Sequence, residues 1–421
     1  PTNFMYPVLE NNVENVWIHH NNIHDNGADT CDVNNNYGRT TATASVSHPT
    51  IPNQTISIAM PKAVNLIFED NVSSGQGYIG GVRVGDGTGL LTLRGVSKIK
   101  SARNILKSCG SVAYYIVTNC NDIRVESDTI SNTGGEALYV HDNVSNISFK
   151  NLTVRNASTL VNTSNPVIRI YDTVTYMAVT GGYFDCNNAN YGDNPLFSYR
   201  NGDSHIKYDG VTIVNAGAIT LTNPDKIGFL NSVIYANIIG YVITTTTGEN
   251  FIFKGNHLEN TNSSGTGIRV ASGKFRVDNN FIVASNYPLY VFSSDYSTFT
   301  NNKIKVTSNT NYSIGINLDA TKWGTLAGNV VDNPGSGINP RSISGLDGTG
   351  VVLSGNQIVA GAMDIPYPLV DGSRYGTAAP TTLTWKKGDR VFNSNATVGQ
   401  PKSWVCTVAG TPGTWVGEGN L

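Results

Sequence analysis

The sequence predicts an all-β chain: a parallel β-helix, or solenoid, over residues 1–372, followed by a small C-terminal β module at 373–421. Three observations predict it. A short strand motif returns at near-constant spacing, apolar and polar residues alternate within it at period two, and runs of helical spacing are nearly absent.

The motif is a polar residue followed by apolar-x-apolar and then polar residues, often Asn or Gly. Its leading apolar positions Ile123, Ile147, Met177, Ile206, Ile227, Phe251, Phe275 and Phe299 lie 24, 30, 29, 21, 24, 24 and 24 residues apart. Repeats of this length, built from short strands and polar turns, fit a solenoid in which every coil stacks on the next. Each period also holds a second alternating strand, as at Leu138–Val140, Ile168–Ile170, Ile219–Leu221, Ile268–Val270 and Leu289–Val291. Asn at recurring turn positions suits left-handed corners and stacked side-chain amides, so most Asn residues read as structural. The ladder runs from about Asn12 to about Met363, and Pro366-Tyr367-Pro368 breaks it. Beyond the break, Gly376–Leu421 carries Trp385, Trp404 and Trp415 with Gly-Asp and Pro-Gly turns, as expected of a separate β module.

Charged residues make up 14% of the chain, against roughly 25% in an average globular protein, and polar neutral residues take their place. A net charge of -2 gives no basic field for nucleic acid or anionic lipid. No apolar run approaches the roughly 18 residues that span a bilayer, and residues 1–30 lack a basic start followed by an apolar core. Neither membrane insertion nor a secretory signal is expected, and the abrupt opening reads as that of a fragment. Cys31, Cys109, Cys120, Cys186 and Cys406 show no CxxC or Cys/His spacing and read as buried free thiols. The run containing His19, His20, His24, Asp25, Asp29 and Asp32 has no ligand spacing either. His19 and His20, adjacent on a strand, are expected to face opposite sides. No metal and no cofactor are expected.

The tail Thr384-Trp385-Lys386-Lys387-Gly388-Asp389-Arg390-Val391-Phe392-Asn393-Ser394, continuing through Gly399-Gln400-Pro401-Lys402-Ser403-Trp404-Val405-Cys406-Thr407 to Gly410-Thr411-Pro412-Gly413-Thr414-Trp415, resembles the C-terminal ending of tailspike depolymerases from phages of Gram-negative bacteria, Acinetobacter phages especially. The resemblance covers about the last tenth of the chain, and the coils are similar to that family in architecture alone. It implies a homotrimer of right-handed parallel β-helices that binds and cleaves capsular or other surface polysaccharide of the host. It also implies a place on the virion tail, through an N-terminal attachment domain missing from this sequence. It supplies no catalytic residues, so these are read from the coils.

Aligning equivalent strands sets Val82-Arg83-Val84-Gly85-Asp86, Tyr115-Ile116-Val117-Thr118-Asn119, Leu138-Tyr139-Val140-His141-Asp142, Ile168-Arg169-Ile170-Tyr171-Asp172 and Phe197-Ser198-Tyr199-Arg200-Asn201 side by side. Leu138, Val140, Ile168 and Ile170 then point inward, and Tyr139, His141, Arg169, Tyr171 and Arg200 outward. Later coils present Thr220, Thr222, Thr244, Arg269 and Ala271 there, a blander surface. Aromatic platforms edged with planar donors match the apolar C–H faces and hydroxyls of sugars, and Arg169 and Arg200 are fork-shaped partners for acidic sugars. The alternative is that long side chains simply cover an exposed sheet.

Acidic and amide residues fall in a column of their own: Asp86, Asn119, Asp142, Asp172 and Asn201. One coil separates Asp142 from Asp172, about 5 Å at sheet spacing, and two coils separate Asp86 from Asp142, about 10 Å. The first gap resembles that of a retaining glycosidase, roughly 5 to 5.5 Å, and the second lies near the upper end of the inverting range. Two carboxylates this close divide into an acid and a base or nucleophile. Turn formation is the competing role for each aspartate. Glu136 enters the same strand from the other side as a spare acid. A second strip, Glu69, Arg94, Glu126 and Lys150, alternates in sign and reads as ion pairing, with Glu126 a reserve carboxylate.

Three activities remain open: endo-glycosidic hydrolysis by Asp142 and Asp172, β-elimination on a uronate polymer with Arg169 or Arg200 as neutraliser and His141 or Tyr171 as base, and adhesion without cleavage.

Overall fold

Residues 8–10, 15–24, 32–34, 41–48, 51–59, 65–75, 78–79, 82–83, 89–157, 166–171, 174–186, 197–200, 205–221, 226–245, 248–271, 273–292, 296–307, 314–319, 324–333, 341–345, 352–360, 362–364, 369–370, 373–382 and 385–421 are described in the computed structural model. They form a right-handed parallel β-helix with a small C-terminal β module, and the chain divides into two compact units, 1–262 and 263–421. No helix among them is long and apolar enough to cross a membrane.

In the first unit each full coil holds three strands, as in Tyr114–Val117, Asn121–Glu126 and Thr129–Ser131. Equivalent strands pair in parallel with the coil above and below, giving sheets I, II and III. Sheet II holds the repeat seen in the sequence: Ile99, Ile123, Ile147, Met177, Ile206 and Ile227 stand in one buried column. Sheet I holds the second strand. Sheet III is an addition that periodicity does not show, because its strands, such as Thr153–Arg155, expose two polar residues around one buried apolar one. Two insertions interrupt the coils. Thr41–His48 pairs antiparallel with Ile51–Ala59, and Val82–Arg83 pairs antiparallel with Tyr78–Ile79.

The corner between sheets II and III explains many asparagines. A residue at positive φ, such as Asp70 or Arg103, is followed by a buried polar residue whose amide oxygen caps the backbone N–H of its equivalent on the preceding coil. Asn71 N donates to Asn104 Oδ1 at 3.0 Å, and Asn104 N donates to Asp128 Oδ1 at 2.6 Å. The next coils place Leu152 and Gly182 there; a Cβ on Gly182, at φ +100, would lie 2.7 Å from the Leu152 carbonyl oxygen.

Asp128 closes this ladder because two hydroxyls from neighbouring strands also need an acceptor. Ser101 takes the inward position that Phe68 and Val125 hold in adjoining coils, and the space admits the ring of Tyr114 from sheet I. Both the Ser101 and Tyr114 hydroxyls hydrogen-bond Asp128 Oδ2. Burial pushes the Asp128 carboxyl up to about 6, opposed by these hydrogen bonds.

The second unit repeats the plan by itself. Asn280, Asn302, Asn329 and Asn356 form an unbroken ladder of 2.8–3.1 Å hydrogen bonds. Asn302 also donates to the Val277 carbonyl at 2.9 Å. Asn302→Ala removes the acceptor of Asn280 and the donor of Val277 inside the core, so unfolding stability is expected to fall by about 2 to 4 kcal/mol in a denaturant titration.

Leu369–Val370 pairs parallel with the strand of Leu353 on one side and antiparallel with Ser373–Gly376 on the other, and Ser373–Gly376 pairs parallel with Arg390–Asn393. Arg390–Asn393, Pro401–Val408 and Thr414–Asn420 follow as an antiparallel meander. Its core is Trp385, Val391 and Cys406 with Trp404 and Trp415 packed against them. The tryptophans that mark the tail in sequence therefore build a core of their own. Cys109, Cys120, Cys186 and Cys406 are buried thiols in no disulfide, and Cys31 lies outside the described residues.

Candidate carbohydrate site

The strand Leu138–His141 alternates as expected: Leu138 and Val140 are buried, and Tyr139 and His141 face out. Its neighbour on the later side is Ile168–Tyr171, with Arg169 opposite Tyr139. Phe197–Arg200 follows, with Arg200 opposite Tyr171. The backbone thus carries Tyr139, Arg169, Tyr171 and Arg200 on adjacent strands. The side chains of Tyr171 and Arg200, and the whole of Asp172, lie outside the described residues.

On the earlier side the register differs from the sequence alignment by one residue. Tyr114, not Tyr115, stands opposite Leu138, and Tyr115 stands opposite Tyr139. The reason is internal: Tyr114 turns inward because its hydroxyl finds Asp128 and Ser101 there. The adjacent tyrosines divide between core and surface. The next strand out is Leu91–Arg94, not Val82–Arg83, and Asp86 lies outside the described residues. Arg94 therefore belongs to sheet I and not to the charged strip of sheet II.

Stacked strands now bring side chains into contact. The Tyr115 and Tyr139 rings are parallel within 1°, with centroids 5.2 Å apart, close to the sheet spacing of about 4.8 Å. Arg94 lies 5.4 Å from the Tyr115 centroid, and Arg169 lies 5.6 Å from that of Tyr139. A guanidinium thus borders each end of a two-ring stack. His141 stands edge-on to Tyr139, centroids 4.8 Å apart. Later in the same column come Ser198, Thr220 and Thr244, with no aromatic ring.

Glu136 precedes the strand and is only 4% exposed. Its Oε1 lies 2.7 Å from Arg169 Nε, so the carboxylate anchors the arginine beside Tyr139. Burial pushes the Glu136 carboxyl up, and the nearby Arg169 opposes the shift. Asp142 is exposed at φ 72, at the corner that ends the strand. It accepts a 3.1 Å hydrogen bond from the Thr118 hydroxyl, while Asn119 pairs with Asn143, so Thr118 and not Asn119 is its neighbour. Burial raises the Tyr115 phenol, Arg94 lowers it, and Asp142 and Glu136 both raise it. The two carboxylates therefore act on one hydroxyl.

Glu126 lies on sheet II and pairs with Lys150 at 3.1 Å, apart from this cluster. His19 and His20 do not face opposite ways. His20 leaves the strand at φ 55, and the two Nδ1 atoms approach to 2.8 Å. From the sequence Tyr115 falls in register with inward Leu138 and Arg94 in the charged strip, so neither reads as a sugar contact; the Tyr-Tyr pair at 114–115 is the signal that holds one of them.

No family model and no curated protein matches the chain. Among solved structures it is similar in course to the mannuronan C-5 epimerase AlgE6 A-module of Azotobacter vinelandii, at 14% identity and TM-score 0.47 over 74% of this chain and 90% of that one. It is also similar to PfbA, a surface adhesin of Streptococcus pneumoniae, at 12% identity and TM-score 0.36 over 85% and 91%. Tailspike protein 3 of bacteriophage CBA120 is similar at 10% identity and TM-score 0.38 over 86% of this chain and 61% of that one.

Proposed function

We propose that this chain is the polysaccharide-binding and polysaccharide-cleaving part of a phage tailspike, acting on the capsule of a bacterial host. The observation that carries the binding is the Tyr115–Tyr139–Arg169 column with Arg94 reaching the Tyr115 ring from two positions along its strand. Two coplanar rings offer a flat apolar platform to successive pyranose faces, and the guanidinium groups donate to ring hydroxyls or carboxylates. The tailspike assignment, with its homotrimer and virion attachment, rests on the C-terminal tail motif.

The reaction we assign is endo-glycosidic hydrolysis. Glu136, whose carboxyl burial pushes up against the opposing Arg169, is the general acid once Arg169 turns to the bound sugar, and exposed Asp142 is the base or nucleophile; Asp172, one repeat on in the sequence, is the further carboxylate. Protonation of the glycosidic oxygen by Glu136 lets the bond to the leaving sugar break. Asp142, or water activated by it, then takes the anomeric carbon. A second reading, β-elimination, is favoured by the Tyr139–His141 pair beside Arg169, in which Arg169 neutralises a uronate carboxylate and His141 removes the α-proton.

Digestion of purified capsular polysaccharides from a panel of encapsulated strains separates the readings. Hydrolysis releases short oligosaccharides without new ultraviolet absorbance, elimination releases fragments bearing an absorbing double bond, and an adhesin leaves polymer size unchanged.

A further inference from the structure

Sheet II carries a second arrangement suited to acidic sugars, away from the tyrosine column. Its outward column runs Trp17, Ile67, Lys100, Arg124, each opposite the next on adjacent strands. Beside it runs the corner column of Asn65, Lys98 and Asp122, one position before Leu66, Ile99 and Ile123. Between the two columns lies a groove of about 300 Å³ lined by Asn65, Ile67, Lys98, Lys100, Asp122 and Arg124.

Two features set this groove, and Trp17 one strand beyond its lining, apart from ordinary sheet surface. Trp17 is 60% exposed, yet its indole is held in place. Nε1 donates to Glu69 at 2.9 Å, His19 packs on the ring at 4.1 Å, and Glu69 is itself fixed by Arg103 at 2.9 Å. Second, three cations face one carboxylate. Asp122 pairs with Arg124 at 3.2 Å, and Lys98 and Lys100 have no ion-pair partner among the described residues.

From this geometry we infer that the sheet II groove is a separate binding site for an acidic oligosaccharide. A pyranose face rests on Trp17 and Ile67, and the carboxylates of the following sugars lie against Lys100, Arg124 and Lys98. The inference takes its polymer class from the proposed function but uses none of the residues of the tyrosine column. A chain held here stays at the surface while sheet I engages another segment, which raises the effective concentration of polymer at the cleaving site.

Tryptophan fluorescence titration with hexameric oligomannuronate, a chain of uronates, tests it, with maltohexaose as the neutral control. Saturable quenching by the uronate is expected. It should vanish in Trp17→Phe, weaken about tenfold in Lys100→Ala/Arg124→Ala, weaken with added salt, and persist in Tyr139→Ala. No saturable quenching, equal quenching by maltohexaose, or indifference to the Lys100 and Arg124 substitutions overturns the site. Loss of the response in Tyr139→Ala also overturns it, since the signal would then arise on sheet I. Capsule cleavage measured on the same variants reports separately on the tyrosine column, so failure of one reading is told from failure of the other.

Discussion

Asp142→Asn is expected to lower depolymerising turnover by at least about a hundredfold while the fold is kept. Asn occupies a corner at positive φ as readily as Asp, and it keeps an oxygen for the Thr118 hydroxyl. The position is exposed, so stability should change by no more than about 0.5 kcal/mol. What the substitution removes is the charge. Glu136→Gln should lower turnover comparably, with a different stability signature. It leaves Arg169 beside a neutral amide in a buried setting, and losing one partner of a buried ion pair costs about 3 to 5 kcal/mol. The unfolding midpoint of Glu136→Gln must therefore be measured beside its rate, whereas Asp142→Asn is read from the rate alone. Near-native turnover in both would move the chemistry to Asp172.

The second large effect is on stability. Asp128 is acidic in the unfolded chain with an ordinary pKa near 3.8, and burial lifts it to about 6 in the fold. The folded state therefore binds the proton more tightly. The stabilisation is fully present below about pH 3.8, is lost as pH rises, and is gone above about pH 6. The full swing is about 3 kcal/mol, at about 1.4 kcal/mol per unit of pKa shift. Asp70, Asp209 and Glu418, which neighbouring cations hold below the usual carboxylate range, act oppositely and at lower pH. Asp128→Asn should abolish the slope between pH 4 and pH 6 and be more stable than the wild type at pH 7. The amide keeps Oδ1 for Asn104, and the Ser101 and Tyr114 hydroxyls can rotate to accept from its nitrogen. A thermal unfolding series over this range checks it; an unchanged slope, or a less stable amide at pH 7, contradicts the assignment.

The repeat was legible because a column of identical inward positions survives insertions: Ile123, Ile147, Met177, Ile206 and Ile227 pair in the register read from their spacing. Leu138, Tyr139 and Val140 likewise take the faces that alternation assigns. The observed register departs from the sequence alignment one coil earlier, at Tyr114-Tyr115. Both residues suit either face of a strand, and the choice is made by Asp128, at the corner after Asn121–Glu126, and Ser101, on the preceding coil. A shift of one residue there exchanges the surface neighbour of Tyr139 from Ile116 to Tyr115. It also hides the paired-ring platform and the role of Arg94. From the sequence Glu136 is no more than a spare acid, because its burial and its contact with Arg169 come from packing between coils, which no local pattern encodes. The third sheet is illegible in the sequence for a related reason: a strand with a single inward residue shows no alternation.

The most direct measurement is a crystal structure of Asp142→Asn soaked with oligosaccharides released by wild-type digestion. Pyranose rings should lie across Tyr115 and Tyr139, with an Arg94 or Arg169 guanidinium donating to the sugar and the Glu136 carboxyl beside a glycosidic oxygen. Sugar density elsewhere on the chain, with the Tyr115–Tyr139 platform bare, would contradict the account.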